Sequence, residues 1–294
     1  MRTLTTLSAA ALAAGLIALT TPSALAAPTA PAAPASSYAT ITGSGSSWSS
    51  IGLADWINDV ASKKLIVNYN ADGAAVGREE YMQGGQVDFA ASDPPFLKQD
   101  KLAGTGAEVP EWGYLPITPV LQFGDAKMEN GSNNVADYIT ASFGNGSIGF
   151  LEDSYLLNSG YPAVSVRNPA GKFVQPTPAD VTAALTKAVI NENPKSVNFL
   201  QQNLGKVYTN MMPGSYPLAS YSYLIVPRTG TKVPPAFTTA AGTSLRAFLR
   251  YGLCQGQKGL AALGYAPLPA SLVKGGLQQV AHIPGNGSVP ASCT

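Results

Sequence analysis

The sequence runs to 294 residues, with 18 Lys and Arg against 17 Asp and Glu and a single His. Charged residues make up 12 % of it, about half the usual share of a soluble domain, while 45 % hydrophobic residues supply a real core. This balance argues against the basic stripe of a nucleic-acid binder. A polar site in so lightly charged a chain is expected to work with neutral donors: hydroxyls, amides and backbone N–H groups.

Residues 1–26 read as a signal peptide. Arg2 supplies the positive start, Leu7 to Thr21 an apolar run, and Ala24-Leu25-Ala26 a small-residue cleavage site. The apolar run is short for a membrane anchor and no basic stop-transfer flank follows. The mature chain is therefore expected to be secreted, extracellular or periplasmic, without membrane insertion. Residues 27–37 form a Pro/Ala-rich linker, and folded structure is expected from about Tyr38. Export makes Cys254 and Cys293 a candidate disulfide, closing a loop of about 40 residues worth about 3–4 kcal/mol. Two free thiols in a metal or redox site are the alternative, but the CxxC spacing and a nearby His are both missing.

Ala39 to Thr42 predicts a strand, and Ile51, Leu53, Trp56, Ile57 and Val60 give the next segment a helical apolar face. Leu65 to Tyr69 predicts a second strand, Arg78 to Met82 a short helix, and Gln86 to Ala91 a third strand stopped by Ser92-Asp-Pro-Pro95. Tyr114 to Thr118 predicts a fourth. Further on, a helix is expected over Asn133–Phe143 and strands over Ser147–Phe150 and Ala163–Val166. Thr177-Pro178-Ala-Asp180 reads as a helix start, with an N-cap Thr, Pro in the first turn and an acid three residues after the cap. Tyr221 to Pro227 predicts another strand. Helices are expected over Thr243–Cys254, near Leu260 and over Pro269–Ala281. Strands alternating with helices in this order predict an α/β fold with a largely parallel sheet covered by helices.

Three loops carry the chemistry. Gly43-Ser-Gly-Ser-Ser-Trp48 joins a strand to a helix whose free N–H groups and partial positive charge suit an anion. It is neither a P-loop nor a dinucleotide turn, since Trp48 stands where the last Gly should be. Val67-Asn-Tyr-Asn-Ala-Asp-Gly-Ala-Ala-Val-Gly-Arg78 repeats the strand, turn and helix order. In Val87-Asp-Phe-Ala-Ala-Ser-Asp-Pro-Pro95, Asp93 follows the carboxyl end of a strand, where open α/β sheets bind ligands. Each has a plainer reading: Ser47 as an N-cap, Asp93 as a cap of the next element, Arg78 as a surface charge.

Taken in order, these loops resemble the periplasmic phosphate-binding proteins of phosphate ABC transporters. That family reads G-A-G-A-T-F, then V-x-Y with a G-S-G-x-G turn, then V-D-F-G-A-S-D-A-P. Gly146-Ser-Ile-Gly-Phe-Leu-Glu-Asp-Ser-Tyr155 resembles its G-S-I-G-Y-V-E-x-A-Y. Segments 170–177, 216–226 and 264–269 continue the likeness, which covers roughly residues 39–284. The resemblance implies a periplasmic-binding-protein-like fold, with phosphate held by Ser46, Ser47, Trp48 and Asp93. Asp93 would accept a hydrogen bond from a protonated phosphate oxygen, which sulfate cannot offer. Two departures stand out. Ala74 replaces a ligand Ser, and the R-x-D-G-S-G-T segment, which supplies an Arg and several donors, does not occur. The organisation implied is one complete lobe from residues 38–120 and 216–294, plus a reduced second lobe over 121–215.

The expected function is that of an exported solute-binding protein for phosphate or a similar oxyanion, serving an ABC transporter permease and needing no cofactor or metal. A degenerate relative acting as an extracellular interaction or surface protein is the alternative. An enzyme is not expected: His282 is the only His, and no G-x-S-x-G elbow or HExxH occurs. Glu79-Glu80 and Glu152-Asp153 read as solvated helix faces.

Overall fold

The computed structural model describes residues 38–84, 87–94, 129, 131–196, 199–229 and 236–293. In chain order the elements are β1 (Ile41–Gly45), α1 (Ser50–Ala61), β2 (Val67–Asn70), α2 (Ala74–Gln83), β3 (Phe89–Ser92), α3 (Ser132–Thr140), α4 (Asp153–Ser159), β4 (Val166–Arg167), β5 (Phe173–Val174), α5 (Pro178–Leu185), β6 (Val189–Ile190), β7 (Gln202–Asn203), α6 (Gly205–Tyr208), β8 (Tyr223–Ile225), α7 (Thr239–Leu253) and α8 (Ala270–Val280). The expected signal peptide, linker and Tyr114–Thr118 strand lie outside the described residues.

The fold is mixed α/β. The main sheet has the order β2-β1-β3-β8. β1 runs parallel to both β2 and β3, with Ile41 opposite Val67 and Gly43 opposite Phe89, while β8 returns antiparallel along β3. The parallel pairs follow from helical crossovers: α1 links β1 to β2, and α2 links β2 to β3. The core lies where α7 and α1 pack on this sheet, around Ile41, Leu53, Val60, Phe89, Leu245, Phe248 and Ile283. Phe89 is its centre. Its ring stacks on Tyr69 at 6.2 Å and meets Phe248 at 5.9 Å. Gly43 leaves the room this ring occupies, because a Cβ there would fall 2.2 Å from it.

Local signals explain several element starts. Thr177 accepts from the Asp180 N–H and its hydroxyl donates back to the Asp180 carboxylate, with Pro178 in the first turn of α5. Thr238 caps α7 by accepting from the Ala241 N–H, which starts this helix four residues before the expected Thr243. Likewise α2 starts at Ala74 rather than near Arg78, entered through Gly73 at φ +105°.

The strand expected over Ser147–Phe150 does not form. Its side chains alternate as a strand's would, but no described strand runs beside it, and Ile148 and Phe150 are exposed. Alternation without a partner ladder leaves backbone groups to water. The strand expected over Ala163–Val166 shrinks to the two-residue ladder of β4 with β5. A disulfide joins Cys254, at the end of α7, to Cys293. Among the described residues no helix is long and apolar enough to cross a membrane.

Candidate functional site

The carboxyl ends of β1 and β3 bring the first and third loops together. Gly45, at φ +136°, turns the chain out of β1, and a Cβ there would fall 2.0 Å from the Ala91 carbonyl. This close approach lets the Ser46 N–H donate to Ala91 at 2.9 Å. The Ser46 hydroxyl, fully buried, donates to Oδ1 of Asp93 at 2.5 Å. The Ser222 hydroxyl, just before β8, donates to the same oxygen at 2.6 Å. Two hydroxyls thus fix the carboxylate by one oxygen. With its proton on Asp93, Ser46 positions that acid rather than pointing a donor into open space.

The loop after Ser46 is held from several sides. Tyr69 donates to the Ser46 carbonyl at 2.8 Å, Tyr155 to the Ser47 carbonyl at 3.0 Å, and Tyr265 to the Trp48 carbonyl at 2.5 Å. These three phenols come from β2, α4 and the segment before α8. Burial holds the Tyr265 hydroxyl up at about 12 and raises that of Tyr69 as well. Both stay neutral donors across the physiological range. With the carbonyls tied back, Ser47 and Trp48 precede α1, where helix N–H groups lack internal acceptors. The Ser47 hydroxyl also faces the start of α3, accepting from the Ser132 N–H at 3.5 Å.

Arg78, open to reading as a surface charge, is buried and donates to the Ser92 hydroxyl, one residue before Asp93. Ala74, at the start of α2, offers a methyl and no side-chain hydrogen-bonding group. Among the described residues no group of three or more His, Cys, Asp or Glu could hold a metal ion.

Glu152 overturns its reading as part of a solvated helix face. It lies beside Ser132 and Asp93, and both its carboxylate oxygens are buried without a hydrogen bond of normal geometry. Burial raises its carboxyl above the usual range; the Ser132 hydroxyl opposes this and the Asp93 charge adds to it. The reason is tertiary: α3 and α4 fold back on the loop at Ser47 and enclose the residue between them. A Glu whose folded pKa exceeds its unfolded value favours folding below the unfolded pKa, and this is lost as pH rises through the folded one. Glu152→Gln is therefore expected to melt higher than the parent at pH 7, by about 2–4 °C for roughly 1 kcal/mol, and to match it at pH 4. Thermal unfolding at the two pH values checks this; equal melting at pH 7 contradicts it.

Comparison with curated proteins finds similar sequences. The phosphate-binding protein PstS of Xylella fastidiosa strain Temecula1 is 30 % identical over 145 residues, 49 % of this chain and 35 % of that protein. PstS of Methanocaldococcus jannaschii is 27 % identical over 135 residues, 46 % of this chain and 34 % of that protein. Over about half its length, this chain is similar to the PstS phosphate-binding proteins. PstS of Haemophilus influenzae strain Rd is 27 % identical over 144 residues, 49 % of this chain and 38 % of that protein. The chain thus spans little more than a third of the length of the PstS relatives it matches. No family model matches it.

Proposed function

We propose that the chain is an exported solute-binding protein that holds phosphate, or a similar oxyanion, at the loop between β1 and α1, and that it serves an ABC transporter permease. The Ser47 and Trp48 N–H groups and the Ser47 hydroxyl donate to the anion, Ser46 positions Asp93, and Asp93 accepts from a protonated phosphate oxygen. The observation that carries this reading is the Asp93 carboxylate, anchored through one oxygen by Ser46 and Ser222 beside the start of α1. Its second oxygen remains for the ligand. An acceptor fixed beside an anion selects for a proton on that anion, because an unpaired acceptor there is costly. Relation to the PstS proteins supports the same ligand class.

Affinity is expected to fall well below that of a site with the full second-lobe donor set. Each hydrogen bond to a charged group is worth about 1.5–3 kcal/mol, and both a hydroxyl at position 74 and the R-x-D-G-S-G-T donors are missing. Calorimetric titration with phosphate and sulfate at pH 7 tests this. Phosphate is expected to bind and sulfate to bind more weakly, and Asp93→Asn should weaken phosphate about tenfold or more while narrowing the difference. No heat with millimolar phosphate contradicts the proposal.

A second reading, an extracellular interaction protein without a small ligand, draws on exposed apolar side chains. Phe143, Ile148 and Phe150 are each more than 65 % exposed and lie close in sequence. Grouped apolar exposure of this kind marks interaction surfaces. This reading gains if phosphate fails to bind.

A further inference from the structure

A cavity of about 630 Å³ opens beside the loop at Trp48, and Ser222 and Glu152 stand on its wall. Its walls come from α1, the segment 147–153, α4, α5, the run into β8 and the segment before α8. Trp48, Phe150, Tyr161, Leu185, Leu218 and Tyr265 give it an aromatic and aliphatic lining. The volume lies within the range of small-molecule pockets and far above the voids that packed interiors tolerate. The PstS-type reading makes no use of it.

Charge narrows the occupant. Glu152 and Asp153 are the ionisable acids on the wall, and none of the described residues lining it is a Lys, Arg or His. Both Glu152 carboxylate oxygens are buried without a hydrogen bond of normal geometry, and burial raises the Asp153 carboxyl as well. Acids drawn out of water without a counter-charge are unfavourable, and a cation brought beside them restores the balance. The aromatic rings, with Trp48 and Phe150 centred 6.5 Å apart, present negative faces that attract the same sign of charge. An anion would meet two carboxylates and, among the described residues, no cationic side chain.

We propose that this cavity is a second binding site, for a small organic cation: an ammonium head near Glu152 and Asp153 on an aromatic or aliphatic body packed against Trp48, Phe150 and Leu185. The proposal does not rest on the phosphate reading: the two acids and the rings on this wall favour a cation whatever the loop at Ser47 holds.

The test uses three probes with one body and different heads: 4-phenylbutylammonium, 4-phenylbutanol and 4-phenylbutyrate, titrated calorimetrically into the whole chain at pH 7. The ammonium is expected to bind one per chain, about tenfold or more tighter than the alcohol, with the butyrate weakest. In Glu152→Gln combined with Asp153→Asn, the ammonium and alcohol should bind alike. Equal binding of ammonium and alcohol to the parent protein overturns the proposal, as does absence of binding by all three. Persistence of the ammonium preference in the folded double variant overturns the role of the two acids. The comparison within the parent protein decides the matter even if the double variant unfolds. A phosphate titration of the same sample reads the other site separately, so failure at one is distinguishable from failure at the other.

Discussion

Replacing Phe89 with Ala is expected to lower unfolding stability by about 3–5 kcal/mol, enough to unfold much of a marginally stable chain. Phe89 is fully buried on the central part of the main sheet, between the Tyr69 and Phe248 rings. The cost of such a truncation depends on whether the surroundings can collapse into the space left. Here they cannot do so easily. Gly43, directly across the ladder, has no side chain to move in, and α7, which carries Phe248, is fixed to the chain's end through Arg246 and the disulfide. Urea unfolding of the variant against the parent measures this. A loss below about 1 kcal/mol would show that another element carries the core. The same variant should weaken anion binding, because β3 positions Asp93.

The second large effect belongs to the disulfide. Serine at both Cys254 and Cys293 is expected to cost about 3–4 kcal/mol, the loop-closure entropy of a 39-residue separation. Among the described residues, those beyond Ile283 contribute no helix or strand. It is held by Arg246, which donates to the carbonyls of Ile283, Asn286 and Gly287, and by Thr243, which accepts from the Asn286 N–H. Without the crosslink those bonds compete with water one by one. Reducing the parent protein should reproduce the variant's unfolding midpoint, and phosphate titration of the folded variant should be unchanged, since neither Cys lies at the anion loop. An unshifted midpoint would mean that the Arg246 contacts alone secure the tail.

Much of this molecule was legible from short stretches. The order of β1, α1, β2, α2 and β3 followed from apolar periodicity broken by Gly turns, because those signals arise within a few residues. The α5 start was readable to the residue, since Thr177, Pro178 and Asp180 satisfy one another locally. The extended run Ser147–Phe150 was misread for the same reason: its alternation is local, but a strand requires a partner, and no described strand supplies one. Glu152 departs from the solvated-face reading, because nothing nearby in sequence reveals that α3 and α4 fold over it.

By itself the sequence determined the α/β class and the two-cysteine bridge, and it marked the loop at Ser47 and Trp48 and the acid at Asp93 as the candidate site. The first two rest on spacing within a segment and on a count, whereas the candidate site rests on the order of its loops and the family they resemble. Only the tertiary structure decided what surrounds them. Ser222 reaches Asp93 across 129 residues of chain, Tyr155 reaches Ser47 across 108, and Tyr265 reaches Trp48 across 217. Contacts between such distant residues leave no periodic trace in the sequence, because they are set by how the sheet and helices pack. The candidate site is built from hydroxyls, phenols and N–H groups around the anchored Asp93 carboxylate, with Glu152 beside it.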